Sequence, residues 1–163
     1  MKKEDPIKND KCFKLKVITL GVDHLKKCFQ LDQIALNGFW SEQQWKKELT
    51  DSKRLCLGLL NNSELLSFAC GWIVIDELQI TAIAVHPHYQ RMGMGKKILS
   101  NLLLQAKSLG LKKATLEVKS NNASAKALYK SLNFKLSGKR KKFYRDGNDA
   151  LILWRNLLIN ELV

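Results

Sequence analysis

Residues 78–134 read LQITAIAVHPHYQRMGMGKKILSNLLLQAKSLGLKKATLEVKSNNASAKALYKSLNF. The run 78–85 is apolar and partly β-branched, which predicts a buried strand. His86-Pro87 ends it, because proline has no N–H to give to a ladder. A glycine-rich turn follows, Gln90-Arg91-Met92-Gly93-Met94-Gly95-Lys96. Ile98, Leu99, Leu102, Leu103, Ala106 and Leu109 then recur at three-and-four spacing, and Gly110 stops that helix. Residues 114–118 read as a second strand, and a short helix begins near Asn121-Asn122.

A glycine turn between a strand and a helix start is suited to holding phosphate. The first N–H groups of a helix have no partner inside it, and its dipole favours an anion there. Glycines at 93 and 95 remove Cβ atoms that would hold a ligand away from the backbone, and Arg91 and Lys96 add charge at the rim. Two glycines can also simply make a tight turn. The spacing is neither the dinucleotide G-x-G-x-x-G nor the P-loop, so both of those assignments fail.

Gln90-x-x-Gly93-x-Gly95 after a strand resembles the Q/R-x-x-G-x-G/A motif of GCN5-related N-acetyltransferases (the GNAT family). Leu116-Glu117-Val118 followed by Asn122-x-x-Ala125-x-x-Leu128-Tyr129-x-x-Leu132-Asn133-Phe134 is similar to a second segment of that family, and of its RimI type, the ribosomal-protein alanine N-acetyltransferases. The resemblance runs from about residue 40 to residue 154. It implies an α/β fold with one mixed, mostly antiparallel, twisted sheet of six to seven strands, about four helices and splayed central strands. It implies acetyl-CoA as acetyl donor, with the pyrophosphate on Gln90, Arg91, Met92, Gly93, Met94, Gly95 and Lys96. A bulge in the central strand would free backbone groups of Ile83, Ala84 and Val85 for the pantetheine arm, which would pair as an added strand does. Asn122 would contact that arm, a plain helix cap being its other reading. Tyr129 would be the general acid that protonates the departing thiolate, as a phenol can. The chain departs from the family pattern in three places: Gly38-Phe39 stand where a proline precedes Trp40-Ser41, Asn133 replaces a glycine, and Asn148 replaces a glutamate.

Period two puts Leu116 and Val118 on one face of their strand and Glu117 on the other. Glu117 is therefore the candidate base, acting through water, with an exposed glutamate paired to a lysine as the plainer reading. Trp40 reads as a core anchor for the cap, while the resemblance implies a place beside the acceptor site. Tyr144, in a segment resembling the family's acceptor-covering loop, is the other substrate-binding candidate. His86 and His88 flank one proline with no third ligand nearby, so no metal is expected.

At 163 residues the chain is one domain by length, with 45% hydrophobic residues. Residues 1–11 read as a disordered basic lead-in and 12–163 as the domain. No run approaches the roughly 20 apolar residues of a spanning helix, and no signal segment is read, so a cytoplasmic protein is expected. Cys12, Cys28, Cys56 and Cys70 are widely spaced in apolar surroundings and read as buried free thiols. The formal charge of +13, from 28 Lys+Arg against 15 Asp+Glu, favours anionic partners. It is concentrated in the N-terminal lysines and in Lys139-Arg140-Lys141-Lys142 with Arg145, a solvated face or a surface for electrostatic docking to the ribosome.

Elsewhere, alternation predicts a strand over 13–18. A helix is expected over 23–36 with Leu25, Phe29, Ile34 and Leu36 as apolar positions. Ser41 and Gln44 fit a capping box. A hairpin is expected from 54–60 and 65–75 around Asn61-Asn62-Ser63. The last hairpin takes 134–137 and 142–145, closed by 149–154. The expected function is acetyl transfer to the α-amine of a protein or peptide N-terminus, an alanine of a small-subunit ribosomal protein being the specific acceptor. Lysine or small-molecule amines are alternatives, as is a non-catalytic ribosome- or RNA-binding module.

Overall fold

A computed structural model describes residues 13–159. Cys12, the lead-in and the last four residues lie outside them. One mixed sheet of seven strands runs in the order β1-β2-β3-β4-β5-β7-β6. The strands are β1 (Leu15–Thr19), β2 (Arg54–Asn61), β3 (Glu64–Val74), β4 (Glu77–Val85), β5 (Lys113–Lys119), β6 (Lys135–Arg140) and β7 (Ala150–Asn156). Four helices accompany them: α1 (Leu25–Leu36), α2 (Glu42–Thr50), α3 (Met94–Ser108) and α4 (Ala123–Ser131).

Alternation along the strands divides the apolar residues between the two faces. One cluster gathers Ile98, Leu99, Leu102 and Ala106 of α3 with Leu78 of β4 and Ala114, Leu116 and Val118 of β5, and Ala125, Leu128 and Tyr129 of α4 pack on it. The second gathers Cys28 and Leu31 of α1, Trp45 of α2 and Phe68, Cys70, Ala82 and Ala84 of the sheet.

β4 and β5 supply the feature that positions the site. They run parallel and pair only at Glu77–Lys113, Leu78–Ala114 and Gln79–Thr115. Beyond those positions they diverge, because β4 continues to Val85 against β3 while β5 continues against β7. On its β3 side, β4 carries a bulge: Cys70 pairs with Ala82 and the adjacent Gly71 with Ile80. Thr81 is the extra residue, and its hydroxyl donates to the Cys70 carbonyl at 3.2 Å. A bulge increases local twist, which turns β4 away from β5. The expected splay and bulge are both present.

Several local expectations need correction. Residues 142–145 form no strand. Lys142 is left-handed (φ 49°), and its N–H donates to Asp149 Oδ1 at 2.8 Å, folding residues 141–149 into a loop. Ser41 does cap α2, accepting from Gln44 N–H at 3.1 Å. The Gln44 side chain, however, donates forward to Glu48 Oε1, so the reciprocal half of the box is missing. Ile34 and Leu109 are more than half exposed, and the buried stripe of α1 runs through Cys28, Leu31 and Asp32. Cys28, Cys56 and Cys70 are free and buried, as expected. Among the described residues no helix is long and apolar enough to cross a membrane.

Candidate active site

The turn at residues 90–96 sits at the end of β4, where the sheet opens. Gln90 Nε2 donates back to the Val85 carbonyl at 3.4 Å, tying the turn to the strand. Arg91 and Gly93 both adopt left-handed conformations, φ 59° and φ 80°. Such residues next to right-handed ones aim successive N–H groups into one concavity, which suits an anion. Gly93 is the N-cap of α3 and brings no side chain to cap it, so the first-turn N–H groups of Met94, Gly95 and Lys96 remain for a ligand. A Cβ built at Gly93 meets nothing within 4 Å, and one at Gly95 meets Leu128 Cδ2 and Val85 Cγ2 at 3.5 Å. Neither glycine is forced by crowding. The residues present fit a phosphate group.

Glu117 occupies the face of β5 opposite Leu116 and Val118, as its period requires. Its carboxylate lies 3.2 Å from Arg140 Nη2, so its partner is an arginine at the end of β6 and not a lysine. Arg140 also lies over the Phe143 ring at 5.3 Å. Tyr129 approaches from the other face. It packs edge-on to Phe134 at 5.9 Å, and burial, with Tyr144 beside it, pushes its hydroxyl up to about 12. Tyr144 feels the first and is felt by the second: burial raises its hydroxyl, and the Glu117 charge adds to that rise. Glu117 lies on β5 beyond the last β4–β5 pair, Gln79–Thr115, and Tyr129 packs on the opposite face with the α3 cluster.

The loop around Tyr144 is pinned by charge. Lys119 holds the Asp146 carboxylate and lies 5.1 Å from the Tyr144 ring centroid. That ammonium, with the Asn148 N–H, lowers the Asp146 carboxyl to about 2. Lys139 pairs with Asp149 at 3.0 Å. Lys141, Lys142 and Arg145 make no salt bridge among the described residues.

Other expected site residues fall as follows. Ala82 and Ala84 face the α1/α2 cluster, Ile83 and Val85 pack on the α3 cluster, and the edge of residues 80–85 facing β5 is unpaired. Asn122 caps α4, its Oδ1 accepting from Ala125 N–H at 3.1 Å, which leaves its amide N–H₂ for any further contact. Trp40 stacks edge-on to Trp45 at 4.9 Å, and Trp45 likewise on Phe68, so it is an anchor for the loop between α1 and α2. His86 Nδ1 accepts from the His88 N–H, and the described residues hold no group of ligands suited to a metal. A cleft of about 280 Å³ between α1 and the β2–β3 turn, lined by Lys27, Ile34 and His86 among others, lies apart from Glu117 and Tyr129.

Sequence reasoning missed Arg140 as the partner of Glu117, and it missed Asp32. That carboxylate is fully buried and accepts from Phe39 N–H at 2.7 Å, Trp40 N–H at 2.9 Å and Trp45 Nε1–H at 2.6 Å. Position 32 falls on the stripe of Cys28 and Leu31, so helical spacing alone would have placed it inside.

Comparison with known proteins fits this geometry. The family model described as "Acetyltransferase (GNAT) family" matches residues 22–134. The [ribosomal protein bS18]-alanine N-acetyltransferase of Escherichia coli K12 is 33% identical over 140 residues, 84% of this chain and 94% of that protein. The crystal structure of the ribosomal-protein-S18-alanine N-acetyltransferase from Escherichia coli superposes with a TM-score of 0.82 at 30% identity, covering 91% of this chain and 99% of that one. The fold is shared with Arabidopsis thaliana NAA60, solved in complex with acetyl-CoA, at a TM-score of 0.77 and 14% identity over 89% of this chain and 99% of that one. The chain belongs to the GNAT family and is an N-acetyltransferase.

Proposed function

We propose that the protein transfers acetyl from acetyl-CoA directly to the N-terminal α-amine of a protein, with an alanine of a small-subunit ribosomal protein as acceptor. One observation carries the reading: the sheet opens between β4 and β5, and Glu117 and Tyr129 approach that opening from opposite faces. A thioester lying in the gap along β4 would expose its carbonyl carbon to an amine on the Glu117 side. Its sulfur would face Tyr129.

The turn at residues 90–96 binds the pyrophosphate, and the free edge of Ile83, Ala84 and Val85 orients the pantetheine amides as a neighbouring strand would. Glu117 takes the proton of the attacking amine through water. Tyr129, kept protonated by its raised pKa, gives a proton to the departing thiolate, so that C–N forms, C–S breaks and the coenzyme leaves as a thiol. Both groups act on one ternary complex, with no acyl-enzyme. Trp40 and Tyr144 flank the acceptor.

The α-amine is favoured by energetics. At pKa near 8 it is about 2.5 units easier to deprotonate than a lysine, worth roughly 3.4 kcal/mol. Glu117 is ion-paired and one-third exposed, and an α-amine asks less of any base placed there. Lys141, Lys142 and Arg145 supply positive charge for docking on ribosomal RNA, so the protein would work beside ribosomes in the cytoplasm. The decisive experiment uses one peptide with a free N-terminal alanine and an internal lysine. It is incubated with the protein and acetyl-CoA, and the acetyl group is located by fragment mass spectrometry. Acetyl on the alanine amine is expected; acetyl confined to lysine overturns the acceptor, and none on either overturns peptide transfer.

A further inference from the structure

We infer that Asp32 is a positioning residue for the acceptor: it holds the α1–α2 loop in the shape that receives the first residues of the incoming chain. The inference rests on the proposed peptide acceptor.

Asp32 lies near the C-terminal end of α1, where the helix dipole disfavours an anion, and it is fully buried, where a lone carboxylate is costly. Its environment answers both. The side chain takes the N–H groups of Phe39, Trp40 and the Trp45 indole. Its main-chain oxygen takes those of Asn37 and Gly38. Five donors between residues 37 and 45 thus converge on one residue. Two consecutive left-handed residues, Asn37 (φ 56°) and Gly38 (φ 75°), reverse the chain so that they can. The whole connection between α1 and α2 is wound around Asp32.

That connection is placed where an acceptor would meet it. Trp40 and Trp45 belong to the cluster that contains Ala82 and Ala84 of β4, whose strand is unpaired toward β5 at this level. The loop therefore sits on the Glu117 side of the opening, with Phe39 more than half exposed and Trp40 partly so. Hydrogen bonds to a charged acceptor are directional and about twice as strong as neutral ones, so Asp32 sets the height and tilt of the Trp40 backbone in a way apolar packing would not. Asp32 does not itself touch the acceptor.

The test is Asp32→Asn. The amide keeps one oxygen for a donor but turns an N–H₂ toward N–H groups that had an acceptor, so the loop must shift while the side-chain volume is preserved. Steady-state kinetics with an alanine-led peptide should show the peptide KM raised at least tenfold, with the acetyl-CoA KM within twofold of wild type. Trp45→Phe, which removes one donor and leaves Asp32 in place, should raise the same constant by a smaller factor. It decides the matter if Asp32→Asn fails to fold. An unchanged peptide KM in a folded variant overturns the inference, and so does an equal rise in both KM values, which marks a purely structural role. A wild-type protein that acetylates no peptide removes the proposed acceptor and the inference together. A wild type that does so, with variants of normal peptide KM, removes the inference alone.

Discussion

Gly93 and Gly95 are two residues apart and are predicted to respond to alanine in opposite ways. At Gly93 the backbone is left-handed, φ 80°. An alanine there costs about 1 kcal/mol although its Cβ meets nothing. Gly95 lies within α3, where replacing glycine by alanine stabilises by about 0.5–1 kcal/mol. The added methyl would rest at 3.5 Å from Leu128 and Val85, ordinary contact distance. For a chain of this size about 1 kcal/mol moves Tm by roughly 2–4 °C, so Gly95→Ala should raise Tm by roughly 1–4 °C and Gly93→Ala should lower it. The methyl at residue 95 also enters the space between β4 and α4, beside the turn proposed to hold phosphate. Displacing a phosphate from one backbone N–H forfeits about 1.5–3 kcal/mol, roughly a ten- to hundredfold loss of affinity. Calorimetric melting and isothermal titration with coenzyme A measure the two effects separately. A Gly95→Ala protein that melts higher and binds coenzyme A as wild type does would refute the assignment of this turn to phosphate. One that melts lower would refute the fit of the methyl.

Tyr129→Phe should lower kcat by about a hundredfold or more with little change in the acetyl-CoA KM, and kcat within threefold of wild type would remove the acid role. Because the Tyr129 hydroxyl is raised to about 12, it stays protonated far above neutrality. A wild-type rate that falls between pH 8 and pH 10 while Tyr129→Phe shows no such fall would contradict this. Burial pushes the Cys28 thiol up to about 12 and raises Cys70 as well. Iodoacetamide at pH 8 should leave both unmodified in the folded protein and alkylate them in denaturant, as peptide mass mapping reports.

The parts of this molecule readable in its sequence are those set by local rules. The tight turn into α3 follows from glycine placement, the facing of Glu117 from strand period, and the left-handed Asn133 (φ 60°) from asparagine's tolerance of that region. What escaped reading depends on which elements meet. Arg140 reaches Glu117 only because β7 inserts between β5 and β6, so a residue in a basic run becomes the partner of the candidate base. Gln44 fits a capping box by spacing, yet its amide N–H donates to Glu48 one turn on, and its oxygen takes no bond from the Ser41 N–H. Residues 142–145 have strand-like composition, and a single carboxylate, Asp149, turns them into a loop. Asp32 was the largest omission, since an aspartate in a helix ordinarily faces water and its donors come from a loop whose course the sequence does not specify.

The narrow seam between β4 and β5 also bears on how the chain assembles. Two-residue turns, Asn62-Ser63 and Ile75-Asp76, join β2 to β3 and β3 to β4, so those pairings close short loops and form early. The seam is parallel, has three residue pairs, and must wait until α3 has crossed over. It closes after both hairpins, and it has fewer residue pairs than any other pairing of the sheet. A chain that has emerged only as far as Val85 presents the bare edge of β4 to its surroundings, a template on which other strands can add. The gap at which the folded sheet opens is, on the nascent chain, its point of greatest exposure to aggregation.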